Sequence, residues 1–168
     1  RNKARRAFFK AVELGDADAM YFIGVQEYLS LDSSKRPEEY SDEETFIIPL
    51  SLKFLIEELP WKYKISTLRK YGLSLVREAA LTHGHGGALY YLALLHLNGD
   101  EELNIKPCYK KIDNSSHIDT MNDFRFYLDK AASEGNDPDA LLLRASCVFQ
   151  GGDGYEQNYV VALNDFIS

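Results

Sequence analysis

The chain is short of cysteine. Cys108 and Cys147 are the only two in 168 residues. They are too few and too far apart in sequence to read as a disulfide framework, so a reducing compartment and a cytoplasmic location are expected. No apolar run approaches the ~20 residues that a membrane-spanning helix needs. Positive charge is also in deficit, with 19 Lys and Arg against 26 Asp and Glu, a net charge of −7. A phosphate backbone is neutralised by a basic face, so nucleic acid is a poor default partner. The chain opens on Arg1 without Met or a signal peptide, and is expected to be a piece of a longer protein. Apolar residues make up 45%, within the range of folded domains, and the length suffices for a core.

Legible chemistry is lacking too. His83-Gly84-His85 draws attention, but a zinc site would need two further ligands; His96, Cys108 and His117 are the available donors. The two histidines flank a predicted helix turn, where cations suit a helix C-terminus. Gly84-His85-Gly86-Gly87 and Gly151-Gly152-Asp153-Gly154 are not phosphate loops, since neither follows a predicted strand or leads into Lys-Ser/Thr. Asp42-Glu43-Glu44 and Asp100-Glu101-Glu102 lack the spacing of an EF-hand. No Ser/His/Asp or Cys/His arrangement stands out. No catalytic, cofactor-binding or metal-binding residue is therefore assigned.

What the chain does contain is one design written three times. The first copy has Ala11, Gly15, Ala19 and Gly24; the second has Ala80, Gly84, Ala88 and Ala93; the third has Ala131, Gly135, Ala140 and Ala145. A Gly four residues after a small residue ends a helix, because a left-handed C′ position costs Gly nothing. A new helix then starts. Asp16 and Asp18 are candidate N-caps of the first, and Asp137-Pro138 supplies a capping Asp with Pro at the first helical position. Small residues five apart in each second helix let two helix axes approach closely. Repeated helix, tight turn, helix is the pattern of an α-solenoid.

The runs Lys10-Ala-Val-Glu-Leu-Gly15-Asp-Ala-Asp-Ala19 and Lys130-Ala-Ala-Ser-Glu-Gly135 resemble Sel1-like repeats, relatives of the tetratricopeptide array. So does Gly151-Gly152-Asp153-Gly154-Tyr155-Glu-Gln-Asn-Tyr159-Val-Val-Ala162. The resemblance covers roughly two-thirds of the chain. It implies an all-α fold: antiparallel helix pairs stacked into a short right-handed superhelix, one repeat domain over 1–168. Ala93 and Ala145 depart from the family's usual second Gly, and Arg144 stands where Leu is usual. The anchoring glycines are 69 (84 − 15) and 51 (135 − 84) residues apart, longer than the family's period. Two insertions, 30–65 and 99–121, account for the excess.

In order, residues 2–14 read as a helix with Ala4, Ala7, Phe8, Ala11 and Leu14 on one stripe. Arg5, Arg6 and Lys10 on its other face read as a solvated surface, the alternative being a basic docking patch. Its pair follows at 17–29. In the first insertion, Ser41 or Asp42 can cap a helix, and Pro49 limits the start of the apolar segment 46–59. That segment is a degenerate helix packed on the array or a protruding binding loop. Pro60-Trp61-Lys62-Tyr63 is expected to end it. Trp61 is the lone Trp, read as packing or as a binding hot spot. Ser66 is the expected N-cap of an amphipathic helix over 66–83 with Leu68, Tyr71, Leu75 and Ala79 on one stripe. Residues 87–98 are apolar on nearly all sides, which predicts a helix covered by neighbours. The second insertion is expected to be a loop; Asn114-Ser115-Ser116 within it matches a glycosylation sequon. Helices over 122–134, 138–150 and 156 onward complete the chain.

With no active site in view, the expected function is protein–protein docking without chemistry. Three residues after each central Ala the family usually carries a polar group on its concave side. Here those positions are Phe22, Tyr91 and Leu143, which together with Trp61 are the candidate protein-binding residues. A narrower resemblance runs through Tyr71-Gly72-Leu73, Ala79-Ala80 and Phe149-Gln150-Gly151-Gly152-Asp153-Gly154-Tyr155-Glu156. This succession is similar to the C-terminal repeat region of the elongation factor 2 kinases. It implies substrate docking, with elongation factor 2 or a kinase domain in the same chain as partner. Adaptors of endoplasmic-reticulum-associated degradation and bacterial host-interaction proteins use such repeats as well. A hydrolase of the β-lactamase-linked repeat group is the competing class, and predicts a deep pocket with perturbed acids or bases.

Overall fold

The computed structural model describes residues 2–35, 48–108 and 116–167, and these are all-helical apart from turns and one isolated antiparallel bridge, Asp100–Ile105. The helices are α1 (Asn2–Glu13), α2 (Ala17–Ile23), which runs on as a π-helical segment (Gly24–Leu29), α3 (Leu50–Ile56), α4 (Trp61–Leu81), α5 (Gly86–Asn98), α6 (Ser116–Ser133), α7 (Pro138–Gln150) and α8 (Tyr159–Ile167). No helix among the described residues is long and apolar enough to cross a membrane. The chain forms two compact units, 1–76 and 77–168, with the division inside α4. Asp42-Glu43-Glu44, the caps Ser41 and Asp42, and Asn114 lie outside the described residues.

The three copies share one turn. Asp16, His85 and Asp137 each sit three residues before the central Ala, and each side chain accepts that Ala's amide: Ala19 to Asp16 at 2.7 Å, Ala88 to His85 Nδ1 at 3.0 Å, Ala140 to Asp137 at 3.0 Å. Their backbones agree closely, with φ/ψ of −72/117, −65/114 and −79/121. Each cap satisfies an amide that the first helical turn leaves without a partner. His85 is thus an N-cap, not a cation at a helix C-terminus. The cap uses a lone pair that only an unprotonated Nδ1 offers. Asp18 is not a cap; it lies in the first turn of α2, where its charge suits the dipole.

Gly15 and Gly84 take the left-handed conformation, at φ 84 and 66. Gly135 does not; Asn136 does, at φ 47. Gly135 is required for a different reason. A methyl group on Gly86 would lie 2.5 Å from the Gly135 carbonyl oxygen, so two backbones touch there and neither tolerates a side chain. The small pairs five apart are buried in all three copies: Ala19 and Gly24, Ala88 and Ala93, Ala140 and Ala145. Gly24 crosses α4 at Gly72, where an added methyl would meet the Gly72 carbonyl oxygen at 2.8 Å. The π-helical hydrogen bond from Ser30 N–H to the Val25 carbonyl falls in the segment that follows this crossing.

Other boundaries differ from the sequence pattern. Trp61 opens α4 instead of closing the preceding segment, because the Pro60 carbonyl accepts the amides of Tyr63 and Lys64. Ser66 is therefore inside the helix and caps nothing. The end of the second insertion is helical from Ser116, and α8 begins at Tyr159 behind Asn158, whose side chain accepts the amides of Val160 and Val161. Arg5 is not a solvated cation: it pairs with Glu27 in a part-buried contact. In unit 1 the core is built on Ile23, Tyr28, Ile56, Ile65, Leu68 and Val76; in unit 2 on Leu89, Leu92, Phe124 and Leu128.

Candidate functional site

None of the four candidate binding residues is buried. In unit 1, Phe22 is 44% exposed and stacks on Phe8, ring centroids 4.8 Å apart. Trp61 is half-buried, and its indole N–H donates to the Lys35 carbonyl at 2.8 Å. In unit 2, Tyr91 on α5 and Leu143 on α7 are half-buried. Burial would have removed all of them from consideration.

A stronger surface lies on α8, and the reading of single positions passed over it. Successive residues turn through about 100° on a helix. On that wheel Tyr159, Val160, Leu163, Phe166 and Ile167 fill one arc of roughly a third of the circumference. All five are exposed, Ile167 at 75%, Val160 at 71% and Leu163 at 59%. Ala162, just past one edge of the arc, is fully buried, while Val161, across from the arc, is 41% exposed. Phe149, at the end of α7, extends the arc by packing edge-on against Tyr159 at 5.3 Å.

A charge network holds α8 in this orientation. Arg144 on α7 donates to both carboxylate oxygens of Asp165, at 2.8 and 2.7 Å. Its guanidinium also lies 4.0 Å from Asp129 on α6. Asp129 in turn accepts the Tyr155 hydroxyl at 2.8 Å, and Arg125 sits over the Tyr155 ring at 5.0 Å. The hydrogen bonds to Asp165 keep the Arg144 proton more tightly bound than usual. Burial, then the neighbouring Asp129, pushes the Tyr155 hydroxyl well above its ordinary range. Arg144 therefore stays charged and Tyr155 neutral at neutral pH. Bidentate Arg–carboxylate geometry sets orientation as well as attraction. Arg144 thus ties α8 to both α7 and α6.

The remaining groups have structural roles. Cys108 and Cys147 are both buried and free. Burial, reinforced by Asp153, raises the Cys147 thiol to about 11, and burial likewise raises Cys108. Both are held as thiols rather than as nucleophilic thiolates. Asp100 accepts the Leu103 amide at 3.0 Å and closes a turn. Among the described residues no three His, Cys, Asp or Glu side chains are grouped to hold a metal. No family model matches the chain, and neither a curated protein nor a solved structure matches it.

Proposed function

We propose that this chain is a non-catalytic scaffold of Sel1-like hairpins, stacked as a short right-handed solenoid, that docks another protein. The observation carrying this reading is the exposed apolar arc of α8. Contiguous apolar surface anchored on an ordered helix favours a partner. The three matching caps support the repeat frame. The order of motifs from Tyr71-Gly72 to Gly151–Glu156 supports a narrower reading. On it, the chain is the substrate-docking region of an elongation factor 2 kinase, cytoplasmic, with elongation factor 2 or the kinase domain as partner. Phe22 and Trp61 in unit 1, and Tyr91 and Leu143 in unit 2, are then secondary contacts.

Hydrogen exchange with purified elongation factor 2, and separately with the kinase domain, tests the proposal. Slowed exchange in α7 and α8 with either protein is the expected result. Slowing confined to α2 and α5 would move the site to Phe22 and Tyr91. Binding to neither protein would remove the kinase reading.

A further inference from the structure

His96 is the only buried polar residue of the described chain, 8% exposed. It sits in the last turn of α5. Its ring stacks on Tyr127 of α6, centroids 5.3 Å apart and 26° between planes. Nδ1 faces Asp123 of α6 at 3.6 Å, longer than a good hydrogen bond. Nε2 is buried with no hydrogen-bond partner among the described residues. The His96 carbonyl accepts the Cys108 amide at 3.1 Å, which ties the 99–108 turn to the same residue.

We infer that His96 is a proton-sensitive latch of unit 2, neutral when α5 is packed on α6 and charged when that packing opens. A neutral imidazole carries one N–H and one lone pair, so a single orphan nitrogen in an apolar site is tolerable. An imidazolium carries two N–H groups and a charge. Here Nε2–H would have no acceptor among the described residues, and the charge would be buried, a cost that the Tyr127 ring face offsets only in part. The groups facing the ring are Asp123 and Tyr127 from α6 and Arg77 from α4. Asp123 favours the charged form, but its side chain is 58% exposed and solvent-screened. Arg77 opposes it. Burial is the largest influence, and the net effect lowers the His96 pKa below its ordinary 6.5. The sign follows from this. Above that ordinary value both folded and unfolded chains hold the imidazole neutral, and unit 2 has its full stability. As pH falls below it, the unfolded chain takes up the proton first, and stability is lost down to the folded pKa.

The test separates His96 from His85, the histidine that caps α5. His85→Asn keeps a capping acceptor and cannot titrate in this range. In that background, urea unfolding of the parent and of His96→Phe is compared at about pH 7.5 and about pH 5.5. Phe keeps the stack on Tyr127. The expected result is a clear fall in the parent's midpoint at the lower pH and a smaller fall in His96→Phe. Proton NMR of the wild-type chain is the second readout and needs no variant to fold. The His96 Cε1–H should titrate below its ordinary value, with faster exchange of α5 and α6 amides at the lower pH. Equal midpoint shifts in both proteins, or titration at or above the ordinary value, would overturn the inference.

Discussion

Two helices of unit 2 are similarly apolar on average and have opposite fates. Both α5 (Gly-Gly-Ala-Leu-Tyr-Tyr-Leu-Ala-Leu-Leu-His-Leu-Asn) and α8 (Tyr-Val-Val-Ala-Leu-Asn-Asp-Phe-Ile) are apolar around most of their circumference. In α5, Ala88, Leu89, Leu92, Ala93 and His96 are buried; in α8 only Ala162 is. The average apolarity of the two helices does not tell them apart. The difference comes from what surrounds them. A helix apolar all round is expected inside a structure, and α5 obeys. The outward arc of α8 departs from that rule while a bidentate ion pair fixes the helix beside it.

Truncation should separate the two helices most visibly. Leu92→Ala, at a fully buried position, is expected to cost about 2–5 kcal/mol in chemical unfolding. Next come the backbone crossings. Gly135→Ala places a methyl against Gly86 and should cost about 1–3 kcal/mol or somewhat more. Ala88→Leu, at a residue with no exposure, should overpack by a similar amount; an unchanged melting temperature would contradict the repeat register. Arg144→Leu puts an apolar side chain there but leaves the Asp165 carboxylate without its partner. It should cost about 1–3 kcal/mol, and the loss should show as faster exchange in α8 with α5 unaffected. The smallest effect belongs to α8 itself. Leu163→Ala should change stability by no more than about 0.5 kcal/mol. If it costs as much as Leu92→Ala, α8 is a core element and the comparison fails.

Much of this arrangement is readable in the chain because it depends on neighbours a few residues apart. Asp137-Pro138 announces its helix, and α7 occupies the predicted 138–150. The six small residues five apart are all buried. The failures have a common cause. Gly135 reads like Gly15 and Gly84, yet its need is set by Gly86, 49 positions away (135 − 86), and not by its own backbone angle. His85 looks like a ligand or a cation until the parallel with Asp16 and Asp137 shows it to be a cap. That signal was available in the sequence: all three lie three residues before the central Ala. Arg144–Asp165 and His96–Tyr127 had no such signal, because each pair is brought together by tertiary packing. The exposed arc of α8 was legible as a helical stripe, but which way it faces depends on Arg144.

The most direct test is the affinity of the parent chain and of a Leu163→Asp, Ile167→Asp double variant for purified elongation factor 2 and for the kinase domain, with melting temperatures recorded alongside. The account predicts that one of the two proteins binds the parent, and that the variant loses at least about tenfold in affinity, ~1.4 kcal/mol, while melting with the parent. Equal affinity of parent and variant would contradict it.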